Sequence, residues 1–182
     1  MFERIQSGPQ TKNLCKWQVM WSWIGAFFGI GLVSILSGFV LNGTGLTLII
    51  GSFGASAVLI YGAVDSPLAQ PRNLIGGHIL SAVIGVACYQ LFVDQTWLAA
   101  PAAVATAIAV MQFTGTVHPP GGATALIAVI GGPGIHDLGY FYVILPVTTG
   151  AVLLLIVAMV VNNLAPGRCY PIQPKIPVML KE

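Results

Sequence analysis

Long stretches of this chain carry no charged side chain, and that limits its fold more than any motif does. Twelve of its 182 residues are charged, seven Lys or Arg and five Asp or Glu, while 56% are hydrophobic. Soluble domains carry roughly 25% charged residues. Charge at the level of 7% cannot cover a globule of this size, which excludes a soluble enzyme, a nucleic-acid-binding protein and a disordered chain. The uncharged runs are continuous, whereas a barrel alternates in segments of about ten residues. The expected fold class is therefore an all-α membrane bundle.

A helix needs about 20 apolar residues to cross a hydrocarbon core of about 30 Å. Four runs meet that length, at 17–41, 73–93, 97–115 and 140–163. Two further segments, around Gly54 and Gly122, are rich in glycine and either cross or dip in as short re-entrant helices. Trp17, Trp21, Trp23 and Trp97 stand at ends of the long runs and read as interface anchors. Gly25 and Gly29, then Gly77, Ser81 and Gly85, then Ala99, Ala103 and Ala107, recur at helix-contact spacing and predict close packing.

Basic residues favour the cytoplasmic side. Arg4, Lys12 and Lys16 lie in an N-tail (1–16), Arg168, Lys175 and Lys181 in a C-tail (165–182), and Arg72 between runs. Six crossings place all seven inside, and four place Arg72 outside, so six is the expected number. The first run is too long for a signal peptide core and is read as retained. The expected organisation is one membrane domain at 17–164 with both tails cytoplasmic, in a bacterial, possibly cyanobacterial, plasma membrane. Cys15, Cys88 and Cys169 are scattered and form neither a disulfide framework nor a metal site. No cofactor is expected.

The segment GASAVLI at 54–60 aligns with GATALIA at 122–128, an offset of 122 − 54 = 68. Each copy lies between two long runs. If every element crosses, the chain is two inverted three-helix repeats (17–94 and 95–164), the plan of many transporters. If the glycine-rich elements are re-entrant, the repeat is parallel.

The most distinctive stretch runs from Thr116 through His118-Pro119-Pro120 to Gly121, Gly122 and Thr124. Prolines end one helix and start the next. A helix beginning there turns unsatisfied N–H groups toward the break, which suits a small anion. Ser52, Gly54 and Ser56 are the matching elements of the first repeat. The expected substrate-binding set is Ser52, Gly54, Ser56, His118, Gly121, Gly122 and Thr124, with His118 as donor, gate or proton-coupling group. Arg72, Asn73 and His78 are expected at a mouth or gate, Asn73 as a cap of the following helix and His78 near the interface. His136, Asp65, Asp94 and Asp137 read as loop or helix-end residues. No carboxylate pair, metal cluster or nucleophile elbow supports an enzyme, and no catalytic residue is expected.

These blocks together resemble the HPP family of integral membrane proteins, whose name is the tripeptide at His118-Pro119-Pro120. The matching residues are GASAVL at 54–59, SPLAQPRN at 66–73, GGH at 76–78 and GGATAL at 121–126, where relatives often have alanine at the position of Gly121. The resemblance covers 51–163. It implies four spans, against the six favoured by charge. Photosynthetic members are linked to nitrite transport, so the resemblance implies transport of a small inorganic anion, nitrite first. Some bacterial relatives carry C-terminal CBS domains, and nucleotide regulation in cis is not expected here. The alternative is a non-transporting scaffold or assembly protein. A carrier is expected to show a polar cavity at both glycine-rich breaks, and a scaffold a dry, filled bundle. The expected partners are the anion, the bilayer and further copies of the chain, as a dimer or trimer.

Overall fold

The computed structural model describes residues 16–40 and 48–172. Arg4, Lys12, Cys15, Lys175 and Lys181 lie outside the described residues. Among those described, the regular structure is helical: α1 Lys16–Val40, α2 Gly51–Ala57 running into a π-helical turn Val58–Gly62, a 3-10 turn Pro67–Ala69, α3 Pro71–Leu91, α4 Thr96–Thr114, α5 Pro119–Ile130, α6 Pro133–His136, a π-helical turn Val143–Thr148 and α7 Thr149–Leu164.

Four helices are long and apolar enough to cross a membrane: Lys16–Phe39, Pro71–Leu91, Thr96–Thr114 and Val143–Leu164. They match the four long runs to within about three residues at each end. Their boundaries follow from chain chemistry. Pro71 occupies the first turn of α3, where no N–H is needed. Gly115, at φ 65°, closes α4 in the left-handed region that glycine adopts without strain. The last span begins with a break the sequence reading did not anticipate. Leu145 is non-helical before Pro146, which has no N–H to donate. The hydroxyls of Thr148 and Thr149 supply donors instead, to the carbonyls of Val143 at 2.6 Å and Ile144 at 2.9 Å.

The two glycine-rich segments form short apolar helices, Gly51–Gly62 and Pro119–Ile130. A helix of 12 residues, the length of α5, rises about 18 Å, well short of a hydrocarbon core of about 30 Å. Neither spans on helix length alone.

Hydrogen bonds register the elements along the bundle. Leu48 donates to Ser37 Oγ near the far end of α1, while Ser22 Oγ donates to the Tyr61 carbonyl near its start, at 2.7 Å. The chain from 48 to 61 therefore runs back along α1. Arg72 donates to the Thr114 carbonyl, joining the start of α3 to the end of α4. The Tyr89 ring stacks on His136 at 3.7 Å, joining the end of α3 to α6. Asn162 donates to the Ile60 carbonyl, joining the end of α7 to the end of the α2 segment. Arg168 ties that same end together, donating to the Gln18 carbonyl, Ser22 Oγ, the Tyr61 carbonyl and Asn162 Oδ1.

α3 is central, packed against α4 and α5, while α1 packs against α7. The small residues singled out by spacing lie at these contacts. Ala99, Ala103 and Ala107 are buried, and Gly25 and Gly29 face the Tyr61 ring. A Cβ on Gly85 would stand 2.6 Å from the Ala125 carbonyl and 2.7 Å from Ala128 Cβ. Trp17, Trp23 and Trp97 are exposed, as anchors are.

Overpacking a tight contact costs about 1–3 kcal/mol, and backbone at the contact gives least. Gly85→Val is expected to push α3 off α5 and lower the thermal midpoint of the purified protein. Gly31→Ala, where a Cβ meets nothing within 4 Å, is expected to leave it unchanged. Equal midpoints for the two variants would contradict the α3–α5 packing.

Candidate functional site

α2 and α5 cross antiparallel beside α3, and five polar side chains meet there. Ser52, Ser56, His78, His118 and Thr124 are each exposed by 1% or less. Ser56 Oγ lies 2.7 Å from His78 Nε2 and 2.9 Å from His118 Nε2. The other nitrogen of His78, Nδ1, lies 2.7 Å from Thr124 Oγ1. Thr124 donates to Ser52 Oγ at 2.9 Å, and His118 Nδ1 donates to the Leu68 carbonyl at 2.9 Å. The two imidazole rings stand edge to face, 5.0 Å between centroids. The result is one unbroken chain from the 3-10 turn to the start of α2.

Local sequence explains the placement. Pro119 and Pro120 fill the first turn of α5 and force His118 into extended geometry (φ −137°, ψ 102°), which swings its ring toward α2. Gly77 allows His118 to lie against α3: a Cβ on Gly77 would stand 2.5 Å from His118 Cβ. Tyr142 secures the far side by donating to the Thr124 carbonyl at 3.1 Å.

Four of the seven expected binding residues, Ser52, Ser56, His118 and Thr124, are thus brought together. Gly121 is buried but serves packing, since a Cβ there would stand 2.8 Å from Ser81 Oγ. Gly54 and Gly122 are not brought in. They face outward, Gly54 with nothing within 4 Å of a Cβ and Gly122 with only Val104 at 4.0 Å. A helix turns about 100° per residue, so Gly54 cannot share a face with both Ser52 and Ser56.

The start of α5 offers fewer N–H groups than expected. The two prolines have none, and Gly121 donates to the His118 carbonyl at 2.8 Å. Polar side chains, rather than free backbone donors, make this site. Asn73 does not cap α3. The helix begins earlier, at Pro71, and the Asn73 amide donates to the Val117 carbonyl at 2.8 Å. Arg72 is exposed and donates to the Thr114 carbonyl, where a positive charge suits the C-terminus of α4.

His78 is the larger departure. Expected near the interface, it is fully buried and both its nitrogens are engaged. Its helical spacing held the signal: Leu74, Ser81 and Gly85, on the same side of α3, are buried with it. The Leu68 carbonyl and Tyr142 carried no such signal.

Neither of two grooves on the bundle is the expected polar cavity. One, of about 510 Å³, lies between α4 and α5 and is lined by apolar side chains such as Val104, Met111 and Leu126. The other, of about 240 Å³, is equally apolar and lies between α1 and α2. Among the described residues no buried side-chain nitrogen or oxygen lacks a partner. The polar chain is buried and bonded within itself.

The family profile described as HPP, transmembrane region, matches residues 11–171. A transmembrane protein of Dictyostelium discoideum is 44% identical over 158 residues, covering 85% of this chain and 50% of its own length. A second from the same organism is 42% identical over 160 residues, covering 85% of this chain and 55% of its own. The chain thus spans about half the length of these curated relatives. No solved structure matches it.

Removing one partner from a buried hydrogen bond costs about 1–3 kcal/mol. Ser56→Ala strands a nitrogen on each of two rings and is expected to destabilise the protein by at least that much, read as a lowered thermal midpoint in detergent. A midpoint equal to wild type would contradict the bridging role of Ser56.

Proposed function

The chain belongs to the HPP transmembrane family, and on that footing we propose that it carries a small inorganic anion, nitrite first, across a membrane by way of the imidazole–hydroxyl chain. The observation that carries the reading is the convergence of five buried polar side chains from three helices of an apolar bundle. Ionisable residues inside a membrane are costly and usually functional. Hydroxyls and imidazoles offer an anion donors without a permanent buried charge.

The repeat supports the same reading. Ser56 and Thr124 are 124 − 56 = 68 residues apart, the offset of the aligned segments, and they take opposite nitrogens of His78. We read the six apolar elements as alternating in direction, two inverted units of three, with the extended residues before α2 and α5 completing their short passes. Lys16, Arg72 and Arg168 then share one end of the bundle, where Arg168 binds Gln18 and the Tyr61 carbonyl. That supports both tails being cytoplasmic; a plasma-membrane location is part of the same proposal.

On this reading the buried chain is the closed form, and opening parts α2 from α5 at Ser52–Thr124 and Ser56–His118. A second reading, a non-transporting scaffold, is favoured by the same internal bonding, since a centre whose buried polar side chains are all partnered needs no opening.

Nitrite uptake into proteoliposomes distinguishes the two. Transport predicts saturable uptake, competed by nitrate or formate, at least tenfold lower in Ser56→Ala and His78→Gln, and unchanged in Phe113→Ala, whose side chain is 94% exposed on α4. Uptake equal to that of empty liposomes, from folded protein, would favour the scaffold.

A further inference from the structure

With Thr124 donating outward, the neutral polar chain is one proton short. A carbonyl oxygen only accepts, so the Leu68 contact fixes a proton on His118 Nδ1. Thr124 has a single hydroxyl proton, and it points outward, to Ser52 Oγ at 2.9 Å and the Pro120 carbonyl at 3.3 Å. Between Leu68 and Thr124 stand four contacts of hydrogen-bond length: Leu68 to His118, His118 to Ser56, Ser56 to His78, and His78 to Thr124. Each needs one proton. Neutral His118, Ser56 and His78 bring one apiece, which leaves one contact unfilled.

We propose that the His118–Ser56–His78–Thr124 chain is a binding site for a single proton, taken up together with a small monovalent anion. The anion clause rests on the transport reading; the proton site rests on the count alone. With the extra proton on either ring, all four contacts are filled and Thr124 donates outward, as it does here. Moving the Ser56 hydroxyl proton from one imidazole to the other shifts the charge between rings and leaves the chain complete. Without the extra proton, one arrangement fills every contact. Ser52 turns to donate to Thr124, Thr124 to His78 Nδ1, His78 Nε2 to Ser56, and Ser56 to His118 Nε2. The two neutral rings then carry opposite tautomers. Both cannot be charged at once, because Ser56 would face an N–H from each side and its own proton would have no acceptor in the chain.

The surroundings set the partner. Phe53 meets the His78 ring edge to face at 5.5 Å, and Tyr142 has its hydroxyl on the Thr124 carbonyl. Arg72, the charged residue nearest in sequence, is held on the Thr114 carbonyl. Among the described residues, the hydrogen-bond and ring partners of the two imidazoles are Ser56, Thr124, the Leu68 carbonyl, Phe53 and each other, with no carboxylate, lysine or arginine. A lone imidazolium in such a place is unfavourable, and an anion arriving with the proton removes the net charge. Reciprocally, the neutral chain has no spare donor for an anion, and the added proton creates one. Linkage requires each to raise the affinity of the other.

The test is ring-nitrogen NMR on ¹⁵N-histidine-labelled protein in lipid nanodiscs, with His136→Gln removing the third histidine, from about pH 8 to about pH 4. The expected neutral form has its proton on Nδ1 in His118 and on Nε2 in His78. Acidification is expected to add one proton per chain, and sodium nitrite to raise the midpoint by about one unit, a tenfold gain in proton affinity. Ser56→Thr is expected to keep the one-proton limit and Ser56→Ala to lose it. Two protons per chain, identical tautomers, or rings that stay neutral throughout even in nitrite would each overturn the site. One proton whose midpoint nitrite does not move would uphold the proton site and count against the anion reading.

Discussion

His78 has two ring nitrogens, and both are engaged inside the bundle, one by a hydroxyl of α2 and the other by a hydroxyl of α5. The rest of the centre depends on that double engagement. A buried imidazole with an unpaired nitrogen costs more than its bond contributes, so α2 and α5 are held at one separation and one register along α3. Gly77, Gly85 and Gly121 permit the approach, and Tyr142 secures Thr124 from behind. The short helices α2 and α5 present Ser52, Ser56 and Thr124 to this centre.

The centre is also tied to one surface. His118 reaches the Leu68 carbonyl in the turn between α2 and α3, whose neighbours receive the C-terminal segment. Tyr170 donates to the Ala69 carbonyl at 2.7 Å, and Ile172 N–H to Gln70 Oε1 at 2.9 Å. Gln70 in turn braces the turn by donating to the carbonyls of Val64 and Ser66. The three residues Leu68–Gln70 therefore bear both the buried histidine and the C-terminal segment that packs at the end of the bundle. A movement that frees His118 must work against, or through, that brace.

The sequence made much of this legible. Uncharged length located the four long helices to within about three residues, because a hydrocarbon core imposes length directly. Small residues at every fourth position marked the buried faces of α1, α3 and α4. The aligned segments picked out Ser56 and Thr124, which prove to grip the same ring. What was not legible depends on contacts between elements distant in the chain. Periodicity could place His78 on a buried face of α3 but could not say that two hydroxyls lay opposite. Gly54 and Gly122 looked like parts of a site because they sit in its motif, yet helical rotation turns them outward. The start of α5 has the glycines of an anion site, but its first two residues are prolines that bring no N–H. Asn73 had the chemistry of a cap, but Pro71 had already begun the helix two residues earlier.

The central claim is that a buried polar chain opens to water as the protein works. Thiol accessibility tests it most directly, with Ser52→Cys in a chain whose three native cysteines are replaced by alanine, reconstituted in liposomes and exposed to a small water-soluble methanethiosulfonate. Ser52 is 1% exposed in the closed form. The account predicts slow labelling that nitrite accelerates severalfold. Labelling that stays at background with and without nitrite, in protein shown to be folded, would contradict it.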